Sequence, residues 1–88
     1  MKIKSGFVLE KVGGGYLAVA VGKRAAEFSG MVRLNGTGAF LWNIMAERNA
    51  TSEELLSEIT SAYDVSKEQA EADIAAFIEI LSSNGIIE

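Results

Sequence analysis

Two runs near the start of the chain are dominated by β-branched, aromatic and other apolar residues: Phe7-Val8-Leu9-Glu10-Lys11-Val12 and Tyr16-Leu17-Ala18-Val19-Ala20-Val21. Gly13-Gly14-Gly15 stands between them and can supply the positive φ of a tight turn, so the pattern predicts a β-hairpin. A polar connection follows from Gly22 to Gly30, with room for a helical turn at Lys23 to Glu27. Met31-Val32-Arg33-Leu34 then resumes as a short third strand, and three strands in sequence predict a small meander.

Beyond Leu34 the apolar residues recur at helical spacing. Asn35 is placed to cap a first helix, because its side-chain oxygen can accept from the free N–H groups of the next turn. Phe40, Leu41, Ile44 and Met45, with Trp42 beside them, make that helix largely buried. Thr51-Ser52-Glu53-Glu54 has the form of a capping box and opens a second helix carrying Leu55, Leu56, Ile59, Ala62 and Tyr63, which ends by Asp64. The third helix begins at Ser66, with Gln69 at capping-box spacing, and buries Ala70, Ile74, Phe77, Ile78 and Leu81. Gly85 is its expected left-handed stop, after which Ile86-Ile87 can fold back on the core. Ala72, Ala76 and Ile80 form a weaker stripe where small side chains allow close approach. Strands first and helices after predict an α+β fold with a three-stranded antiparallel sheet followed by three helices.

Composition narrows the function. The 88 residues fit one small domain spanning 1–88, and no linker, repeat or low-complexity segment divides it. There is no cysteine and no histidine. A thiolate or imidazole metal site, a disulfide, a thiol enzyme and a Ser/His/Asp triad are therefore excluded. The carboxylates are those expected on solvated helix faces, and general acid–base work needs a buried or coupled one, so the chain is expected not to be an enzyme and to need no cofactor or metal. Gly13-Gly14-Gly15 runs into a strand and lacks the lysine of a phosphate loop, and Asn35-Gly36-Thr37-Gly38 lacks one too. No apolar run is long enough to span a membrane and the first residues have no signal-peptide core, so a cytoplasmic protein is expected. In Asn49-Ala50-Thr51 the threonine is better read as a helix cap than as part of a glycosylation site.

The net charge of −4 conceals a division. Through Arg33 six bases face two acids, a balance of +4, whereas from Leu34 onward two bases face ten acids, a balance of −8. The second and third helices beside a hairpin suggest a winged helix, and with it a DNA-binding regulator as the alternative function. Yet a recognition helix with Lys67 against Glu68, Glu71, Asp73 and Glu79 would repel phosphate, so no nucleic-acid partner is expected.

The remaining candidate site is the edge of Met31-Val32-Arg33-Leu34. An unpaired edge can take an extended peptide by strand addition, with neighbouring pockets giving specificity. The same edge could instead be covered by the chain's own N-terminus or by a second copy in a homodimer. If a peptide adds there, proline in place of Val32 is expected to remove a ladder donor or distort the edge and weaken binding while the helices stay folded.

The segments Phe28-Ser29-Gly30-Met31-Val32-Arg33-Leu34-Asn35-Gly36-Thr37-Gly38-Ala39-Phe40-Leu41-Trp42, Tyr63-Asp64-Val65, Asp73-Ile74 with Phe77-Ile78 and Leu81, and Asn84-Gly85-Ile86-Ile87 together resemble the PqqD family, coenzyme PQQ synthesis protein D and its relatives. The likeness covers nearly the whole chain and departs at Gly36, where the family often carries an acidic residue. It implies a winged-helix-like domain that recognises the leader of a ribosomally made precursor peptide. Such a domain presents the peptide to a modifying enzyme, commonly a radical S-adenosylmethionine protein, without catalysing anything itself. Carried onto this sequence, the family's mode of binding implies a peptide strand along Met31, Val32, Arg33 and Leu34, packed on Asp73, Ala76, Phe77 and Ile80 of the third helix.

Overall fold

The computed structural model describes residues 1–28 and 30–88; Ser29, part of the connection and of the family-like segment, lies outside the described residues. The elements are β1 Phe7–Val12, β2 Gly15–Ala20, α1 Arg24–Glu27, β3 Met31–Leu34, α2 Gly36–Glu47, α3 Ser52–Ala62 and α4 Lys67–Ser83. The four-residue α1 lies within the polar connection, so the three expected helices are α2, α3 and α4. The strands form an antiparallel sheet in the order β1-β2-β3, giving the α+β, winged-helix-like arrangement. Val12 pairs with Gly15, so the hairpin turn has two residues rather than three. Gly13 has φ +60° and Gly14 is not in the left-handed region, as a type II′ turn requires.

Side chains cap all three long helices. Asn35 Oδ1 accepts from the Gly38 N–H at 2.8 Å. Thr51 Oγ1 accepts from Glu54 N–H while Glu54 Oε1 accepts from Thr51 N–H, completing the expected box. At α4 half of the expected box forms. Ser66 Oγ accepts from Gln69 N–H, but the Gln69 amide turns along the helix and donates to Asp73 Oδ1 at 2.9 Å.

The inner face of the sheet, with Phe7, Ala18, Val32 and Leu34, packs on Leu41, Trp42 and Met45 of α2. The core continues through Leu55 and Ile59 of α3 and Ala70, Ile74, Phe77 and Leu81 of α4. Phe40, Ile44, Leu56 and Ile78 are half-buried at its margin, while Ala62 and Tyr63 are exposed, because the last turn of α3 runs past the core. Tyr63 instead sets its ring edge-to-face on Phe40, with centroids 5.3 Å apart. Gly85 turns the chain at φ +69°, Ile86 is fully buried, and Ile87 bridges to Ile3. Ile3 N–H donates to Met45 O and Lys4 N–H to Ile86 O, so the N-terminal segment pairs with α2 and the C-terminal segment rather than with β3. Among the described residues no helix is long and apolar enough to cross a membrane.

A candidate peptide groove at the free edge of the third strand

With the N-terminal segment engaged elsewhere, the edge of β3 away from β2 is uncovered by any other strand of the described chain. Register decides which backbone groups that edge offers. In an antiparallel ladder, residues turn both their N–H and C=O to one side and then to the other in alternation. Val21 N–H donates to Gly6 O at 2.8 Å, which makes Val21 a β1-facing residue, as are Val19 and Leu17 by alternation. Tyr16 and Ala18 therefore face β3, where their partners are Leu34 and Val32. Met31 and Arg33 are left with N–H and C=O directed at the free edge.

The side chains divide along the same alternation. Val32 and Leu34 point into the core, at 7% and 5% exposure, whereas Met31 and Arg33 are exposed. The expectation for Val32→Pro is thus corrected: the N–H of Val32 is spent on β2, and the edge donors belong to Met31 and Arg33.

Beside this edge a groove of about 150 Å³ opens between β3 and α4, bridged by the start of α2. Of the eight residues expected at the site, Arg33, Leu34, Asp73, Ala76, Phe77 and Ile80 line it. Met31 and Val32 do not; Met31 turns its backbone groups to the free edge, whereas Val32 spends its own on β2. The buried side chains of Leu34, Leu41 and Phe77 make an apolar floor held by the core. Ala76 and Ile80 form the helix wall and leave room above it. Ala72, part of the small-residue stripe, is exposed and outside the groove, because an i, i+4 row drifts by about 40° per step around a helix. Asp73 takes the wall position instead, its carboxylate held by Gln69. No ion pair joins Arg33 to Asp73 among the described residues.

Sequence reasoning missed Asn35, Thr37, Gly38 and Leu41, which α2 contributes to the groove. The signal was present: a helix capped by the residue directly after β3 must begin beside that strand's edge. Gly38 also has a steric reason to be glycine, since a Cβ there would sit 3.3 Å from both Asn35 Oδ1 and Leu34 Cβ. The groove offers backbone hydrogen bonds and apolar contact. Nothing in it resembles a metal site, and no cluster of three metal-ligating side chains occurs among the described residues.

The family model for coenzyme PQQ synthesis protein D (PqqD) matches residues 7–87, and the chain belongs to this family. Two solved structures share its fold. One is TbiB1 in complex with the TbiA(beta) leader peptide, 20% identical, with a TM-score of 0.74 over 100% of this chain and 95% of that one. The other is a lasso peptide synthetase B1 complexed with the leader peptide, 22% identical, with a TM-score of 0.70 over 99% of this chain and 95% of that one. No curated protein sequence matches significantly.

Proposed function

We propose that this chain is a non-catalytic recognition protein, with residues 1–88 acting as one domain. It binds the leader of a ribosomally made precursor peptide as an added strand on β3 and presents the peptide to a modifying enzyme. The observation that carries this reading is the outward backbone of Met31 and Arg33 running beside an apolar groove. An extended peptide can satisfy the edge donors and acceptors with its main chain and place every second side chain over Leu34, Leu41 and Phe77. Family membership supports the reading, as do the two complexes, in which proteins of this fold hold leader peptides.

In this reading the chain makes and breaks no bond; its part is to bring the precursor to an enzyme, a radical S-adenosylmethionine protein, in the cytoplasm where the precursor is made. Duplex DNA is set aside as a ligand, because α4 would meet phosphates with Glu68, Glu71, Asp73 and Glu79 against Lys67. A second copy of the chain is a further proposed partner, through a different face.

Titration with a leader peptide encoded beside the gene, followed by backbone amide shifts, tests the proposal. Shifts concentrated in 31–38 and 73–80 are expected. Saturable binding with shifts confined to other surfaces would place the peptide elsewhere, and no binding to any neighbouring precursor would remove the function.

A further inference from the structure

The sheet has a second face, away from the helices, and it is unusually apolar. An antiparallel sheet with one side on the core normally turns polar residues to the other. Here Val8, Val12, Leu17, Val19, Val21 and Met31 share the outer side by alternation, and none packs on the core. Val8, Val12, Val21 and Met31 are exposed, Met31 at 64%. Two cross-strand rows order this surface. Val8, Val19 and Met31 form one, and Glu10, Leu17 and Arg33 form the next, with opposite charges at its two ends.

We propose that two copies of this chain pack through these outer faces about a two-fold axis running along β2. Such an axis lays β1 of one copy over β3 of the other. Val19 and Leu17 then meet their own counterparts, and Val8 meets the partner's Met31. Glu10 meets the partner's Arg33, and Arg33 the partner's Glu10, so two symmetric ion pairs flank an apolar strip. A two-fold axis across the strands gives no such match: it sets Glu10 against either Val8 or the partner's Glu10. The charge arrangement therefore selects both the occupant, a second copy, and its orientation. The strands of the two copies run aligned, as in stacked sheets about 10 Å apart, a gap that glutamate and arginine side chains can close. The free edge of β3 stays open, so a leader strand and the dimer are compatible.

Three short strands make a small contact, and the dimer belongs at the transient end of the interface range, to be sought from about 10 μM to about 1 mM. Sedimentation velocity of the intact chain over that range is the test. The sedimentation coefficient is expected to rise with concentration, Val19→Lys to abolish the rise, and Glu10→Arg, which reverses both symmetric pairs at about tenfold each, to weaken association by about a hundredfold. Combining Glu10→Arg with Arg33→Glu restores the pairing and is expected to recover most of the association. A monomer throughout overturns the proposal. So does a dimer that survives Val19→Lys, which would put the contact at the β3 edge or the groove. A double variant no better associated than Glu10→Arg alone overturns the orientation.

Discussion

Val32 and Arg33 are consecutive on β3 yet turn their backbone hydrogen-bonding groups in opposite directions: Val32 pairs with Ala18 of β2, and Arg33 faces the uncovered edge. Proline at the two positions should therefore act differently. Arg33→Pro removes an outward donor that the sheet does not use, and edge strands accept proline on their solvent side. A single hydrogen bond contributes about 1 kcal/mol, so leader-peptide affinity should fall roughly fivefold to tenfold with little change in the melting temperature. Val32→Pro breaks the β2 ladder beside a buried side chain and should lower the melting temperature itself. Calorimetric titration paired with thermal melts separates the two, and unchanged affinity in Arg33→Pro would argue against strand addition.

Ala76 tests the groove independently of the edge. It is exposed on the wall of α4, so a larger side chain there disturbs no packing, and surface substitutions of this kind usually shift stability by less than about 0.5 kcal/mol. Ala76→Trp would fill much of the 150 Å³ that an anchoring peptide side chain needs. Peptide affinity is expected to drop at least about tenfold, the cost of displacing one buried apolar anchor. Binding at wild-type strength in a folded Ala76→Trp protein would show that the peptide bypasses this groove.

The elements were legible because local chemistry specified each of them. The glycines of the hairpin, the caps at Asn35, Thr51 and Ser66, and the stop at Gly85 all act within a few residues of themselves. The groove was half legible. Arg33, Leu34, Ala76 and Ile80 follow from the strand edge and the small-residue stripe of the last helix, and Asp73 and Phe77 from the family resemblance, but the share of α2 depends on how a helix leaves the strand before it. Which residue of a strand offers its backbone to solvent is a matter of register, and register is set by the partner strand rather than by the residue's own neighbours. Hence Val32 looked like an edge donor when it is not. The apolar outer face was also in the sequence, in Val8, Val12, Leu17 and Val19, but alternation alone does not say which face meets the helices.

Gly85 and Gly36 should respond oppositely to alanine. Gly85 has φ +69° with open space around its Cβ position, so Gly85→Ala incurs backbone strain alone, about 1–2 kcal/mol. For a chain of this size each kcal/mol lowers the melting temperature by about 4–8 °C. The same turn sends Ile86 into the core, so loss of the Ile3–Ile87 bridge, read by hydrogen exchange, should accompany the lower melting temperature. Gly36 begins α2 without a positive φ and also has an open Cβ position. Gly36→Ala should leave stability unchanged or raise it by up to about 1 kcal/mol. A destabilised Gly36→Ala protein would mean that the first turn of α2 is not as described.

Glu54 gives the stability of the fold a dependence on acid. Its carboxyl is held below the ordinary glutamate value, chiefly because the Thr51 N–H donates to it, with the Thr51 hydroxyl and the Arg48 guanidinium acting in the same direction against a partial desolvation. A carboxyl with a lower pKa in the folded chain than in the unfolded one binds fewer protons when folded. Its contribution is therefore complete above the unfolded value and lost as pH falls through the folded one. Glutamine can still accept from the Thr51 N–H, so Glu54→Gln removes the charge and keeps the cap. Wild type should be the more stable at neutral pH, and the difference should close as pH falls through and below the ordinary glutamate value. Thr51→Ala, by contrast, loses the hydroxyl cap, about 1 kcal/mol, but keeps the Thr51 N–H that chiefly lowers the Glu54 carboxyl, so most of its cost persists in acid. Urea melts of the three proteins from neutral pH into acid distinguish the charge from the cap, and a wild-type to Glu54→Gln difference that stays constant to well below the ordinary glutamate value would show that the Glu54 charge contributes nothing.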